Sequence, residues 1–277
     1  MTVTLHDSRQ CLLGEGPLWH PLRKQLFWFD ILGMKLLCDS GADWTFSGHV
    51  SAAGWVDADT LLVAGETALF TFDLNTQAVT DIVGLEADNP LTRSNDGRAD
   101  PQGGFWIGTM GKNAESYAGA IYRYYRGELR QLFDRITISN SICFAPSGDR
   151  AYFTDTRGRR IMQVALDAQG WPVGAPELFL DLRGEELNPD GSVVDGEGCL
   201  WNAQWGAHRV ARYDANGKFL DAVEFPAAQI SCPAFGGEDF KTLFVTSAAD
   251  GLDGPSEGQV FAIESPVAGQ QEHRVIL

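Results

Sequence analysis

Four short motifs place oxygen-bearing side chains at intervals along the chain: GEGP with Glu15, RSNDG with Asn95 and Asp96, SNS with Asn140, and NPDG with Asp190. Three carboxylates and two carboxamides that met at one point would need a proton or a cation to offset their repulsion. A set of oxygen donors without Cys or His favours a hard ion such as Ca²⁺, Mg²⁺ or Mn²⁺, and Zn²⁺ also accepts carboxylates. Each motif alone is equally typical of a turn in which Asp or Asn caps its own backbone. The recurrence of four such motifs favours a metal site.

The motifs belong to a repeated unit that is rich in β-strand residues. Six strand-like runs, each between a turn signal and a further strand-like run, cover the chain: QLFWFDI, TLLVAG, GFWIGTM, RAYFTDT, CLWNAQW and TLFVTSA. Equivalent points in the units lie roughly 40–50 residues apart, a spacing typical of propeller blades. No Trp-Asp dipeptide supports WD40 repeats, and a β-sandwich would not explain so long a repeat.

These repeats predict an all-β fold, a six-bladed β-propeller in which residues 1–277 form a single domain. The N-terminal run VTLHD is expected to supply the missing strand of the last blade and to close the ring. The innermost strand of each blade lines the central channel, so residues at the start of these strands meet around the axis. The equivalent points fall near Glu15, Ala53, Asn95, Asn140, Asp190 and Cys232. Units two and six carry AAGW and SCPA there, so the fold itself does not require polar side chains at these points.

Composition narrows the possible partners. A formal net charge of −16 disfavours nucleic acid and anionic membrane surfaces. The sequence has no apolar run long enough for a membrane span and no signal-peptide pattern at its N-terminus. Five scattered cysteines without a CxxC pair indicate reduced, buried thiols. We therefore expect a cytoplasmic protein that is a monomer or a small homo-oligomer.

Two other signals for catalysis are weak. GPSEG at 254–258 matches the G-x-S-x-G elbow of α/β-hydrolases, but that motif needs a helix after it, and the strand-like run GQVFAIE follows instead. Ser256 is therefore not expected to be a nucleophile. The five histidines lack HxH or HExxH spacing, which leaves zinc-protease chemistry unsupported.

The ordered set of motifs resembles the SMP-30/gluconolactonase family, which includes regucalcin. The similar segments are GEGPLW at 14–19, RSNDGRADPQGGFWIGTM at 93–110, ISNSICFAPSGDRAYFTDT at 138–156, NPDGSVVDGEGCLW at 188–201 and SCPAFGGEDFKTLFVTSA at 231–248. The resemblance implies a six-bladed propeller with one divalent ion (Ca²⁺, Zn²⁺, Mn²⁺ or Mg²⁺) in its axial pocket. It also implies that the small-molecule partner is a sugar lactone such as gluconolactone, xylonolactone or arabinolactone, hydrolysed to the aldonic acid.

The resemblance also assigns roles to individual residues. The metal ligands would be Glu15, Asn140 and Asp190, and the substrate contacts would be Arg93, Asn95 and Glu115. Hydrolysis of a lactone, which is an ester, builds negative charge on the carbonyl oxygen, and a metal-bound carboxylate such as Asp190 is the candidate base or water-orienting group. One position departs from the family pattern: members usually have glycine after the asparagine ligand, and this chain has Ser141.

Two alternative functions stay open at this point. The first is a non-catalytic, regulatory propeller that binds a divalent metal, and the absence of metal-dependent acid release from a lactone would identify it. The second is an arylesterase-type propeller hydrolase. The polar set Arg93, Asn95 and Glu115 favours a sugar lactone over an apolar ester.

Overall fold

The computed structural model describes all 277 residues and shows an all-β ring of six four-stranded antiparallel sheets. The strand β1 (Val3–Asp7) belongs to the last blade. Blades 1 to 3 contain β2 (Gly14–His20), β3 (Gln25–Asp30), β4 (Lys35–Cys38) and β5 (Asp43–Thr45), then β6 (Val50–Trp55), β7 (Thr60–Gly65), β8 (Ala68–Asp73) and β9 (Val79–Gly84), then β10 (Thr92–Ala99), β11 (Phe105–Gly111), β12 (Gly119–Tyr125) and β13 (Glu128–Ile136). Blades 4 to 6 contain β14 (Ser139–Phe144), β15 (Arg150–Asp155), β16 (Arg160–Leu166) and β17 (Pro172–Asp181), then β18 (Asn188–Val194), β19 (Leu200–Trp205), β20 (Arg209–Tyr213) and β21 (Phe219–Glu224), then β22 (Gln229–Gly236), β23 (Thr242–Ala248) and β24 (Val260–Glu264). The predicted six-bladed propeller is confirmed.

Helical structure is limited to two short 3₁₀ helices, Thr156–Gly158 and Arg183–Glu185. Neither has the length and apolar character that a bilayer-spanning helix requires.

The N-terminal strand closes the ring. β1 pairs antiparallel with β24, with Val3 opposite Ile263 and Leu5 opposite Phe261. The last blade therefore combines strands from both ends of the chain, in the order β1-β24-β23-β22. This arrangement gives the last blade its fourth strand and confirms the role predicted for VTLHD.

Aromatic side chains pack the blades against each other. Trp19 of blade 1 stacks on Phe244 of blade 6 with ring centroids 5.6 Å apart. Trp201 of blade 5 meets Phe235 of blade 6 edge to face at 5.9 Å. All four side chains are buried. Such contacts stabilise the ring by burying large apolar surfaces and by favourable aromatic geometry.

Every innermost strand has a break in its pairing register at a similar level of the ring. The breaks lie between Glu15 and Leu18, Val50 and Ala52, Ser94 and Gly97, Asn140 and Cys143, Pro189 and Ser192, and Ile230 and Pro233. A β-bulge bends its strand and redirects the side chains beside it. The bulges coincide with the polar motifs of blades 1, 3, 4 and 5, and these motifs supply the side chains that surround the axial cavity.

The segment that follows β24 crosses the opposite ends of the innermost strands. The Gln270 Nε2 donates hydrogen bonds to the carbonyl oxygens of Phe144 at 3.0 Å and Val194 at 2.9 Å. The Trp55 Nε1 donates to the carbonyl oxygen of Glu272 at 2.8 Å. A cavity of only about 20 Å³ is left at this end. The C-terminal segment thus blocks one end of the channel, and a ligand must enter from the other.

Candidate metal and substrate site

A polar cavity of about 430 Å³ lies at the open end of the axis. It brings together five of the six residues that the sequence assigned to the site: Glu15, Arg93, Asn95, Asn140 and Asp190. The other residues of its lining are Leu13, Leu32, Met110, Lys112, Asn113, Ala114, Ile138, Thr156, Arg157, Trp205 and Asp250. Residues from several blades therefore converge on one space, as the equivalent positions in the repeat predicted.

A chain of hydrogen bonds fixes the polar wall of blades 3, 4 and 5. The Arg93 Nη1 donates to the Asn95 Oδ1 at 2.8 Å, and the Asn95 Nδ2 donates to the Asn140 Oδ1 at 3.1 Å. The Asn140 Nδ2 donates to the Thr156 Oγ1 at 2.9 Å, and this hydroxyl donates to the carbonyl oxygen of Pro189 at 2.8 Å. The network orients the Asn140 amide so that its oxygen keeps a lone pair for a further ligand.

Two buried carboxyl groups, Glu15 from blade 1 and Asp190 from blade 5, lie within hydrogen-bonding reach of each other. Burial, reinforced by the charge of Asp96, raises the pKa of Glu15 to about 8. Burial and then the neighbouring Glu15 raise the pKa of Asp190 well above its ordinary value. Both shifts indicate that two negative charges at this place need a proton or a cation between them.

The chemistry of the donors fits a hard divalent ion. Glu15 and Asp190 offer carboxylate oxygens, and Asn140 offers an amide oxygen. Cys232 occupies the equivalent position of blade 6, but burial raises the pKa of its thiol well above its usual range, so it is a neutral thiol and not a thiolate ligand. Glu15, Asn140 and Asp190 are therefore the residues that would hold the ion.

Ser141 joins two of these candidate ligands. Its backbone has φ +58°, in the left-handed region that favours glycine, the residue that the family resemblance led us to expect at this position. The Ser141 Oγ donates to the carbonyl oxygen of Asp190 at 2.5 Å and accepts from the Ser192 Oγ at 3.0 Å. The hydroxyl thus links the strand of Asn140 to the backbone of Asp190 and offsets the cost of the backbone conformation.

Glu115 does not line the cavity. Its carboxylate turns back on its own loop and accepts hydrogen bonds from the backbone nitrogen of Asn113 at 3.1 Å and from the Asn113 Nδ2 at 3.0 Å. These hydrogen bonds, the side-chain one foremost, lower the pKa of Glu115. A substrate contact by Glu115 would require this loop to turn the carboxylate towards the cavity, and that role stays a prediction.

Several lining residues lie outside the four polar motifs, which belong to the innermost strands. Leu32, Lys112, Arg157, Trp205 and Asp250 all lie at or just after the end of the second strand of a blade. The loops between the second and third strands of the blades therefore form part of the cavity wall. The sequence carries a signal for them, because each lies at the end of one of five of the strand-like runs that defined the repeat, or within two residues after it.

Two other groups of reactive side chains lie outside this site. Asp195 approaches Glu197 and Cys199, but its carboxylate already accepts hydrogen bonds from both backbone nitrogens, from the Trp201 Nε1 and from Arg212. The Asp195 carboxylate oxygens are therefore already engaged by protein donors. The GPSEG motif lies in a turn before β24 and not at a strand-to-helix junction, as expected for a segment without an α/β-hydrolase elbow.

The fold and the site together define a six-bladed propeller with an axial cavity that opens at one end and contains clustered carboxyl and amide groups. A sequence model described as the SMP-30/Gluconolactonase/LRE-like region matches residues 13–249. The chain belongs to the SMP-30/gluconolactonase family, which confirms the family resemblance of its motifs.

Known relatives agree over nearly the full length of the chain. An L-arabinolactonase from Azospirillum brasilense is 39% identical, over 98% of this chain and 94% of its own. A 6-deoxy-6-sulfogluconolactonase from Pseudomonas putida is 31% identical, over 94% of each chain. The crystal structure of a calcium-binding protein, regucalcin, from Agrobacterium tumefaciens superimposes with a TM-score of 0.96 and 40% identity, over 99% of this chain and 97% of that one.

Proposed function

We propose that this protein hydrolyses a sugar lactone to the aldonic acid, with one divalent ion held by Glu15, Asn140 and Asp190. The observation that carries the proposal is the pairing of two buried carboxyl groups beside an oriented amide oxygen in a polar cavity. The relatives named as lactonases support the same reaction class. Ten of the sixteen lining residues are polar or charged, which favours a hydroxylated substrate over an aryl ester.

The reaction adds water to the lactone carbonyl carbon and breaks the bond between that carbon and the ring oxygen, which leaves with a proton. When bound, a divalent ion would polarise the carbonyl and stabilise the charge that develops on its oxygen. The Asp190 carboxylate orients the attacking water and accepts its proton. Enclosure in the cavity limits the positions that the water can take.

Arg93 and Asn95 orient the sugar. Burial lowers the pKa of Arg93 to about 10, which leaves its guanidinium charged at neutral pH. Its Nη1 donates to Asn95 and to the backbone oxygen of Ser94, while its Nε and Nη2 make no hydrogen bond within the protein. These free N–H groups are suited to donate to the hydroxyl oxygens of a bound lactone.

The test is a panel of aldonolactones against metal-stripped protein, with Ca²⁺, Zn²⁺, Mn²⁺ and Mg²⁺ added back singly. We expect acid release from at least one lactone and only with an ion present. Binding of an ion without acid release from any lactone would instead support a regulatory metal-binding protein, the second candidate, which the likeness to a calcium-binding regucalcin favours.

Arg93→Ala separates substrate binding from metal binding. The loss of a charged hydrogen bond costs about 1.5–3 kcal/mol, so kcat/KM should fall roughly ten- to hundredfold while the affinity for the ion is retained. Lys218→Ala is the matched control, because Lys218 is an exposed cation outside the cavity. Loss of the ion in Arg93→Ala would show that Arg93 supports the metal site instead.

A further inference from the structure

Lys112 is a cation of the cavity wall that belongs to none of the four polar motifs. It follows β11 directly, and its backbone nitrogen donates to the carbonyl oxygen of Leu91 at 2.8 Å, which fixes the start of the loop. Its side chain is 31% exposed and forms part of the cavity lining. The backbone of Lys112 is therefore held in place, and its side chain is accessible to a ligand in the cavity.

A neighbouring blade holds the ammonium group of Lys112 in place. Glu66, just after β7 of blade 2, accepts a hydrogen bond from the Lys112 Nζ on its Oε1. Its Oε2 contacts the His49 Nδ1 at 2.5 Å, so that both carboxylate oxygens are engaged. Burial acts to raise the pKa of Glu66, but the hydrogen bonds from Lys112 and His49 lower it to about 2, and Glu66 stays ionised.

This arrangement leaves hydrogen-bond donors free for a ligand. An ammonium group has three N–H donors, and Glu66 is the only protein acceptor of the Lys112 Nζ. Two N–H groups are thus available on the cavity wall formed by blade 3, which also carries Arg93 with its free Nε and Nη2. Two cationic donors on one wall can donate hydrogen bonds to hydroxyl oxygens of a polyhydroxy ring.

The charges around the cavity favour a neutral ligand. Glu66 balances Lys112. A divalent ion together with the Arg93 guanidinium would offset the carboxylates of Glu15, Asp96 and Asp190. A sulfonate or phosphate substituent would need a desolvated, unbalanced cation, and Arg157 is exposed to water, where its attraction for an anion is weak.

We propose that Lys112, positioned by Glu66, is a substrate-binding residue that determines specificity for neutral polyhydroxylated lactones. This inference rests on the proposed lactone hydrolysis. Lys112 provides hydrogen bonds to ring hydroxyls, and Glu66 acts through Lys112 as a positioning residue.

The test compares kcat and KM for three lactones in the presence of the activating ion: unsubstituted δ-valerolactone, neutral glucono-δ-lactone and a sulfonated gluconolactone. Lys112→Met should lower kcat/KM for gluconolactone about tenfold or more, chiefly through KM, and leave valerolactone unchanged. Lys112→Arg should recover part of the loss, and Lys218→Met should behave as the wild type. Glu66→Gln should weaken gluconolactone turnover in the wild-type background but add nothing to Lys112→Met.

Three results would overturn the inference: an equal loss for valerolactone and gluconolactone, no loss in Lys112→Met, or a wild-type preference of tenfold or more for the sulfonated lactone. If the wild type turns over no lactone with any ion, the proposed function fails separately. Calorimetric titration with glucono-δ-lactone then decides the role of Lys112: weaker binding by Lys112→Met supports it, and equal binding by both proteins refutes it.

Discussion

Replacing Glu272 with glutamine should destabilise the propeller by about 3 kcal/mol, because it leaves the Arg98 guanidinium buried without its counter-ion. Arg98 from β10 and Glu272 from the C-terminal segment form an ion pair, and their side chains are 9% and 7% exposed. The only other hydrogen bond of the guanidinium runs from its Nη2 to the carbonyl oxygen of Pro233 at 3.3 Å, and its Nε has no partner.

The magnitude follows from this burial. Removing one partner of a buried ion pair costs about 3–5 kcal/mol, and the lower value applies here because the Asp96 carboxylate also attracts Arg98. Removing both charges together should cost much less, since no uncompensated charge is left behind. The double variant Arg98→Met with Glu272→Leu is therefore expected to be more stable than Glu272→Gln alone.

The assay is urea unfolding of the wild type, Glu272→Gln, the single variants Arg98→Met and Glu272→Leu, and the double variant, followed by circular dichroism and tryptophan fluorescence. A coupling energy of about 2 kcal/mol between the two positions is the expected result. A loss of less than about 1 kcal/mol in Glu272→Gln, or strictly additive effects in the double variant, would refute the argument that this pair fastens the C-terminal segment across the channel.

Two further predictions concern the site and its surroundings. Ser141→Gly should change the free energy of unfolding by less than about 1 kcal/mol, because relief of the left-handed backbone offsets the lost hydrogen bonds. The same variant should bind the divalent ion severalfold more weakly, because the hydrogen bond to Asp190 is lost. An unchanged ion affinity in calorimetric titration would contradict the proposed link to Asp190. Glu66 has a pKa lowered from 4.5 to about 2, so the stability that it contributes is complete above pH 4.5 and is lost as the pH falls towards 2. The melting temperature of Glu66→Gln should therefore fall less steeply than that of the wild type over this interval, and parallel curves would rule out the contribution.

The repeat made most of the fold predictable. Each blade must alternate buried strands with turns, so six units left a regular pattern in the sequence, and the closing strand VTLHD had only one incomplete sheet to join. The convergence of Glu15, Asn140 and Asp190 followed from the same logic, since equivalent positions in a ring must face one axis, whereas their selection as metal ligands rested on the family resemblance. The organisation of residues 1–277 as a single domain stays a prediction, and one cooperative unfolding transition would support it.

The remaining features depend on contacts between residues that are far apart in the chain, and a local sequence pattern does not predict such contacts. The C-terminal segment has neither strand nor helix periodicity, so its course across four blades follows only from hydrogen bonds such as those of Gln270. Lys112 and Glu66 lie on different blades, and their pairing depends on how two loops meet in space. Glu115 shows that residue type alone is also insufficient. A carboxylate suits a sugar contact, but the local hydrogen bonds to Asn113 turn the Glu115 carboxylate away from the cavity.

The most direct test of the proposed metal-dependent lactonase activity is the hydrolysis rate of metal-stripped protein before and after a divalent ion is restored, in the wild type and in Asp190→Asn. Asn preserves the shape of the side chain and removes one of two repelling carboxylates, so the variant should stay folded. We predict no hydrolysis above the uncatalysed rate without an ion, recovery with the ion in the wild type, and no recovery in Asp190→Asn. Full hydrolysis by the metal-free wild type, or full recovery in Asp190→Asn, would contradict the account.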